Sequence, residues 1–320
     1  MALFLLLLTL GSGSSAALME IAPGEVLTVC AAGPADGDPV VLVPGLSGCA
    51  YGFRNLTPLL HQQGFRTIII EPLAVGESSR PGHADYTMTA QAGRIAAVLE
   101  NLAVHQAVFI GQGIGGAMVF RLAVERPELL SGFLSVEAGA AERAISPGTG
   151  HSLMMAKAVV KLGGQSLLRD RFIENLKNGS GDTSWLDRRT AGRYFRGTGR
   201  DISAAMDALT AMNDQNEPWA LAPRLMEIEI PVVVLLGGTP HEGALTSEDI
   251  DILSRGLRDV EFRQIPGAGH FIYEEQPQAV ADAVEELVNK ITSGEALSVG
   301  AVVVPGDDGA DNLIESGNTR

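Results

Sequence analysis

Residues 108–121 read Val-Phe-Ile-Gly-Gln-Gly-Ile-Gly-Gly-Ala-Met-Val-Phe-Arg. The apolar run from Ala107 to Ile110 predicts a short buried strand. The glycine-dense Gly111-Gln112-Gly113-Ile114-Gly115-Gly116 predicts a sharp turn. The apolar segment from Ala117 toward Arg126, halted by Pro127, predicts a helix. Strand, tight turn and helix in this order make the frame of a nucleophile elbow, Gly-x-Ser-x-Gly. Gly111 and Gly115 are its outer glycines, which let strand and helix approach closely. The central position, where the attacking side chain belongs, is Gly113. A residue without a side chain forms no acyl-enzyme.

Working outward, Glu25–Ala31, Pro39–Val43, Arg66–Glu71, Gly132–Val136, Pro231–Leu236 and Val260–Ile265 read as further strands. Tyr51–Gln63, Thr87–Leu102 and Pro277–Ile291 read as helices, the last with proline in its first turn. Strands alternating with helices imply a mostly parallel α/β sheet covered on both faces. In such sheets ligands bind beyond the carboxyl ends of the strands. The elbow, the Pro44-Gly45-Leu46-Ser47-Gly48 loop, Glu137, the loop after Leu236 and His270 all fall at such ends. Five separate signals converge on one cleft.

Residues 143–225 mix apolar and charged residues at helical period and read as a helical insert. The core is expected over 19–142 and 226–291, with an apolar leader or mis-set start over 1–18 and an acidic, disordered tail over 292–320. The run Ala2–Leu10 is shorter than the roughly 20 residues a membrane-spanning helix needs. Ser15-Ala16-Ala17 suits a signal-peptide cleavage site, yet no Lys or Arg precedes the run. A cytoplasmic protein starting at Met19 is therefore expected, or a secreted or periplasmic one if 1–17 act as a signal. A net charge of −15 argues against nucleic acid or anionic membrane partners. Two cysteines, Cys30 and Cys49, build no disulfide framework.

Together these motifs resemble the α/β-hydrolase family over roughly residues 20–291. Pro44–Gly48 is similar to the family's His-Gly oxyanion loop, with proline for histidine. Glu71 through Ser78 is similar to its Asp-x-x-Gly-x-Gly-x-Ser loop, with Ala74 for the first glycine. Gly269-His270-Phe271, followed by Glu275 and Pro277, resembles the catalytic-histidine segment. The insert over 143–225 sits where the family carries a helical cap. Two departures stand out: Gly113 replaces the nucleophile, and Pro240 stands at the usual acid position, with Glu242 nearby but out of register. Haloalkane-dehalogenase-like members place the acid after the strand that follows the elbow, which here is Glu137.

The resemblance therefore implies a His270–Glu137 acid–base pair beside an oxyanion hole made by the amides of Leu46 and Ile114. Three functions follow from it. In the first, His270 acts as a non-covalent base on water or on an acidic substrate, as in the cofactor-free dioxygenases and lyases that resemble this fold. In the second, the cleft is a retired hydrolase site that binds a small molecule or regulates, as the glycine elbow of the N-myc-downstream-regulated family implies. In the third, the nucleophile has moved to Cys49, Ser47 or Ser78. The expected ligand is a small apolar molecule. Met154, Met155, Leu168, Phe172, Trp185, Tyr194 and Trp219 of the insert are candidates to roof its pocket or to form the insert's own core. His241 is expected to be a solvated loop residue. His61, His83, His105 and His151 show no ligand spacing, so neither metal nor cofactor is expected.

Overall fold

A computed structural model describes residues 15–143, 165–297, 302–305 and 311–314. Its strands are β1 (Ser15–Ala22), β2 (Glu25–Ala32), β3 (Pro39–Val43), β4 (Arg66–Glu71), β5 (Ala107–Gln112), β6 (Leu130–Val136), β7 (Val232–Gly237) and β8 (Val260–Ile265). They form one eight-stranded sheet in the order β1-β2-β4-β3-β5-β6-β7-β8. β1 and β2 are antiparallel, and β2 is antiparallel to β4. Every pairing from β4 to β8 is parallel, so the carboxyl ends of six strands point the same way.

The helices are α1 (Thr57–Gln62), α2 (Met88–Asn101), α3 (Ile114–Glu125), α4 (Gln165–Asn178), α5 (Arg188–Arg200), α6 (Ile202–Asp214), α7 (Ser247–Gly256), α8 (Ile272–Glu275) and α9 (Pro277–Ser293). Both faces of the sheet are covered, which is why the central strands are apolar throughout rather than alternating. Val41 and Val43 of β3, Phe109 of β5 and Val232, Val234 and Leu236 of β7 belong to one core, with α2, α3 and α7. Their neighbours Val40, Leu42, Val108, Ile110, Val233 and Leu235 belong to the other, with α1, α8 and α9. The period-two division of each strand places half of its side chains in each core.

The predicted helix over Tyr51–Gln63 is divided into a 3-10 turn at Ala50–Arg54 and α1. Pro58, lacking an N–H, is accommodated only in a first turn, so the helix restarts around it. Elements that escaped the sequence reading include β1 and α7. β1 includes Ser15–Ala17 and continues past Met19, so residues 15–18 of the supposed leader are strand. α7 is capped by a reciprocal box between Thr246 and Asp249. In the acidic tail, β9 (Val302–Pro305) pairs antiparallel with β10 (Asp311–Ile314). Among the described residues no helix is long and apolar enough to cross a membrane.

Between β6 and β7 lie α4, α5 and α6. Residues at its two ends are tied to α3 by Arg121, whose side chain is fully buried. Its guanidinium pairs with Glu142 at 2.9 Å and Glu217 at 3.4 Å, and donates to the Trp219 carbonyl at 3.1 Å.

Candidate active site

At the elbow, Gly113 has φ +53° and ψ −126°, in the left-handed half of backbone space where side chains are strained. Gly115 is equally constrained by space. A Cβ there would meet the carbonyl oxygens of Val43 and Pro44 at 2.5 and 2.6 Å. The loop after β3 therefore rests directly on the first turn of α3. The fully enclosed Gln112 carboxamide fixes that loop, its Oε1 accepting from the Gly45 amide at 3.0 Å. Leu46 follows Gly45, and the Ile114 amide, first in α3, has no intrahelical acceptor.

His270 faces this turn. A Cβ placed on Gly113 would lie 3.4 Å from Nε2 and 3.6 Å from Cε1 of His270, with no other neighbour inside 4 Å. The imidazole edge thus reaches the point where an attacking side chain would stand. The His270 segment is held from the insert side. Its amide donates to the Gly179 carbonyl at 2.6 Å. Glu275 Oε2 accepts from the amides of Gly269, Gly181 and Asp182 at 3.0, 2.8 and 2.7 Å. Burial pushes the His270 pKa down to about 4, helped by His241 and opposed by the Glu137 carboxylate and the Gly243 carbonyl.

Glu137 follows β6 with φ +47°, a left-handed backbone for a residue with a full side chain. Its carboxylate is buried and accepts from the amides of Gly237 and Leu245. The expected direct bond to His270 does not form, because Nδ1 of His270 has no hydrogen-bond partner. The imidazole against Glu137 is that of His241, with Nε2 3.5 Å from Oε1 and a side chain only 1% exposed. His241 was read as solvated; instead its Nδ1 turns back to the Thr239 carbonyl at 2.7 Å, which swings the ring inward. One nitrogen from each histidine and a Glu137 oxygen lie within 4.8 Å of one another. The pull of Glu137 raises the His241 pKa above its ordinary value even though burial opposes it. The signal for His241 was only its place three residues beyond Gly238, in the loop after β7.

Glu242 points elsewhere: it is exposed, and its Oε1 accepts from Asn178 Nδ2 at 3.1 Å. Two of the candidate relocated nucleophiles are otherwise engaged. Burial pushes the Cys49 thiol up to about 12. Ser78 is buried, donating to the Glu71 carbonyl at 2.7 Å and accepting from the Thr28 amide at 2.9 Å. Ala74, standing where the family has glycine, takes φ +67°, which is the conformation that favours glycine there.

Of the aromatic residues in the insert, Trp185 packs 5.5 Å from the Phe271 ring and 5.4 Å from Tyr194, while Phe172 meets Phe195 edge to face. Trp219 lies apart, over Arg121. Met154, Met155 and His151 lie outside the described residues. His61 bonds Thr67 Oγ1 at 2.8 Å, and His83 and His105 are exposed.

A family profile described as the alpha/beta hydrolase fold matches residues 38–277. The chain is 23% identical over 278 residues to a putative 2-succinyl-6-hydroxy-2,4-cyclohexadiene-1-carboxylate synthase of Bacillus subtilis (strain 168), covering 85% of this chain and 98% of the relative. It is 24% identical over 266 residues to a haloalkane dehalogenase of Psychrobacter cryohalolentis, covering 80% and 85%. The structure of epoxide hydrolase CorEH without ligand superposes with a TM-score of 0.72 at 21% identity, covering 87% of this chain and all of that one, a likeness of fold alone. Sheet order, elbow and profile agree: the chain belongs to the α/β-hydrolase fold family.

Proposed function

We propose that this protein carries out non-covalent acid–base chemistry on a small apolar organic substrate, with Nε2 of His270 as the base. The observation that carries this reading is the 3.4 Å separation between Nε2 and the point where a Gly113 side chain would begin. The gap left by the missing side chain admits a water or an acidic C–H of a substrate. The amides of Leu46 and Ile114, with the amino end of α3 behind them, form the oxyanion hole for the charge that develops. Glu137 acts at one remove, through the field it exerts on both imidazoles. The insert serves as the cap, clamping the His270 segment through Gly179 and Glu275. The likeness to a relative named as a synthase suits a reaction other than hydrolysis.

A second reading, a binding protein with a retired cleft, draws support from the unpartnered Nδ1 and the depressed pKa of His270, which make a weakly oriented and weak base. A relocated nucleophile fits poorly with the buried, protonated Cys49 and the bonded Ser78. The two favoured readings separate in one screen of small p-nitrophenyl esters and carbon acids. Wild-type turnover that disappears in His270→Ala supports the base; activity that appears only with Gly113→Ser supports the retired cleft.

A further inference from the structure

We propose that Glu137, His241 and His270 form a binding site for one divalent first-row transition ion of the zinc class. The juxtaposition is tight: the three candidate donor atoms lie within 4.8 Å of one another, the one such trio among the described residues. His241 Nε2 and Glu137 Oε1, 3.5 Å apart, already match the edge of a tetrahedral site with metal–donor bonds of roughly 2.0–2.2 Å. Bringing in His270 takes a side-chain shift of about 1 Å.

Proton placement makes the case stronger. His241 Nδ1 faces the Thr239 carbonyl at 2.7 Å, so the ring's single proton sits there in the neutral form. The lone pair on Nε2 of the neutral ring then points at a carboxylate 3.5 Å away, an arrangement relieved either by a proton on Nε2, which the pull of Glu137 favours, or by a metal ion between the two donors. Neither His241 Nε2 nor His270 Nδ1, both enclosed by protein, has a hydrogen-bond partner. Nδ1 is the ring nitrogen of His270 on the Gly243 side, away from the elbow.

The surroundings are those that orient metal ligands. The His241 N–H is directed by a backbone carbonyl, and both Glu137 oxygens are held by amides. Two imidazoles with one carboxylate favour zinc, cobalt, nickel or ferrous iron over magnesium or calcium. A cavity of about 70 Å³, walled by Glu137, His241 and the Gly238–Pro240 turn, opens on two of the three donors and leaves room there for a water or an exogenous ligand. The site uses a different nitrogen of the His270 ring from the base proposed above, which uses Nε2. The two are exclusive in occupancy: an ion on Nδ1 leaves the proton of the neutral ring on Nε2, so the loaded form does not accept a proton at the elbow.

The test is cobalt titration of the full-length chain after chelator treatment and removal of the chelator. The expected result is one equivalent of Co²⁺ bound, with the intense visible absorption of a four-coordinate site, displaced by Zn²⁺. His241→Ala is expected to weaken binding by about 100-fold or more, and Glu137→Gln likewise, with far-ultraviolet dichroism checking that each variant is folded. Should Glu137→Gln fail to fold, the wild-type spectrum and His241→Ala still decide. Absence of a saturable visible band in the wild type, or one-equivalent binding that His241→Ala leaves intact, overturns the proposal. Neither result touches the His270 base, which is read by the ester and carbon-acid screen.

Discussion

Replacing Gly113 by serine restores an attacking atom beside the Nε2 edge of His270, and the structure sets the size of the effect. The new Cβ meets only the His270 ring, at an ordinary van der Waals distance of 3.4 Å, so no neighbour has to move. A hydroxyl one bond further on comes within hydrogen-bonding reach of Nε2. The backbone cost is that of a side chain at φ +53°, about 1–2 kcal/mol. A complete serine triad loses about 10⁶ in rate when its nucleophile goes, and about 10⁴ when its acid no longer orients the histidine. Here Nδ1 has no bonded acid, so the serine is expected to recover the difference, about 10² in kcat/KM over wild type. The assay is release of p-nitrophenolate from the acetate ester, with mass spectrometry locating the acyl group on the introduced hydroxyl. Because only the neutral imidazole accepts the serine proton, the acid limb of the pH–rate profile should fall near 4 rather than near the ordinary histidine value. A folded Gly113→Ser variant that neither turns over the ester nor reacts with a fluorophosphonate would refute the placement of Nε2 and of the two amides.

His270 should also leave a signature in stability. Its folded pKa lies below its unfolded value of 6.5, so between about 6.5 and 4 the unfolded chain takes up a proton that the folded one refuses. Stability should therefore fall as pH drops through that window, by about 3 kcal/mol at most. Urea denaturation in the presence of chelator should show a shallower slope for His270→Gln; an unchanged slope would contradict the burial assigned to this ring. Gln112→Ala in the Gly113→Ser background frees the Gly45 amide and loosens the loop carrying Leu46. Its kcat for the acetate ester should drop by about 10-fold or more with little change in KM, and a raised KM with kcat unchanged would point to binding alone. Arg121→Ala removes the counter-charge of Glu217, whose side chain is only 5% exposed and keeps hydrogen bonds from Met88 and Thr89, at an expected cost of up to about 3 kcal/mol. A melting temperature within a degree or two of wild type would show that the ion cluster contributes nothing to holding the insert.

Much of this protein was legible in the order of its residues. The run Pro39–Val43 is apolar because both faces of a parallel sheet are buried, while the edge strand Val260–Ile265 alternates apolar with polar residues, and both became strands with the predicted limits. The elbow was equally plain, since Gly111, Gly113 and Gly115 mark places where backbone meets backbone or φ is positive, both of them local demands. β1 was hidden because Ser15–Ala22 has no strand pattern of its own and is held by its hydrogen bonds to β2. The partner of His270 was hidden for a different reason. Sequence spacing puts Glu137, His241 and His270 at the ends of three strands, but only packing decides which side chains touch. The turn from Thr239 to His241 brings the His241 imidazole against the carboxylate, while Nδ1 of His270 makes no hydrogen bond. A contact of that kind depends on side-chain direction within a few ångströms, whereas local sequence encodes secondary structure and burial, which is why the cleft was readable and its proton wiring was not.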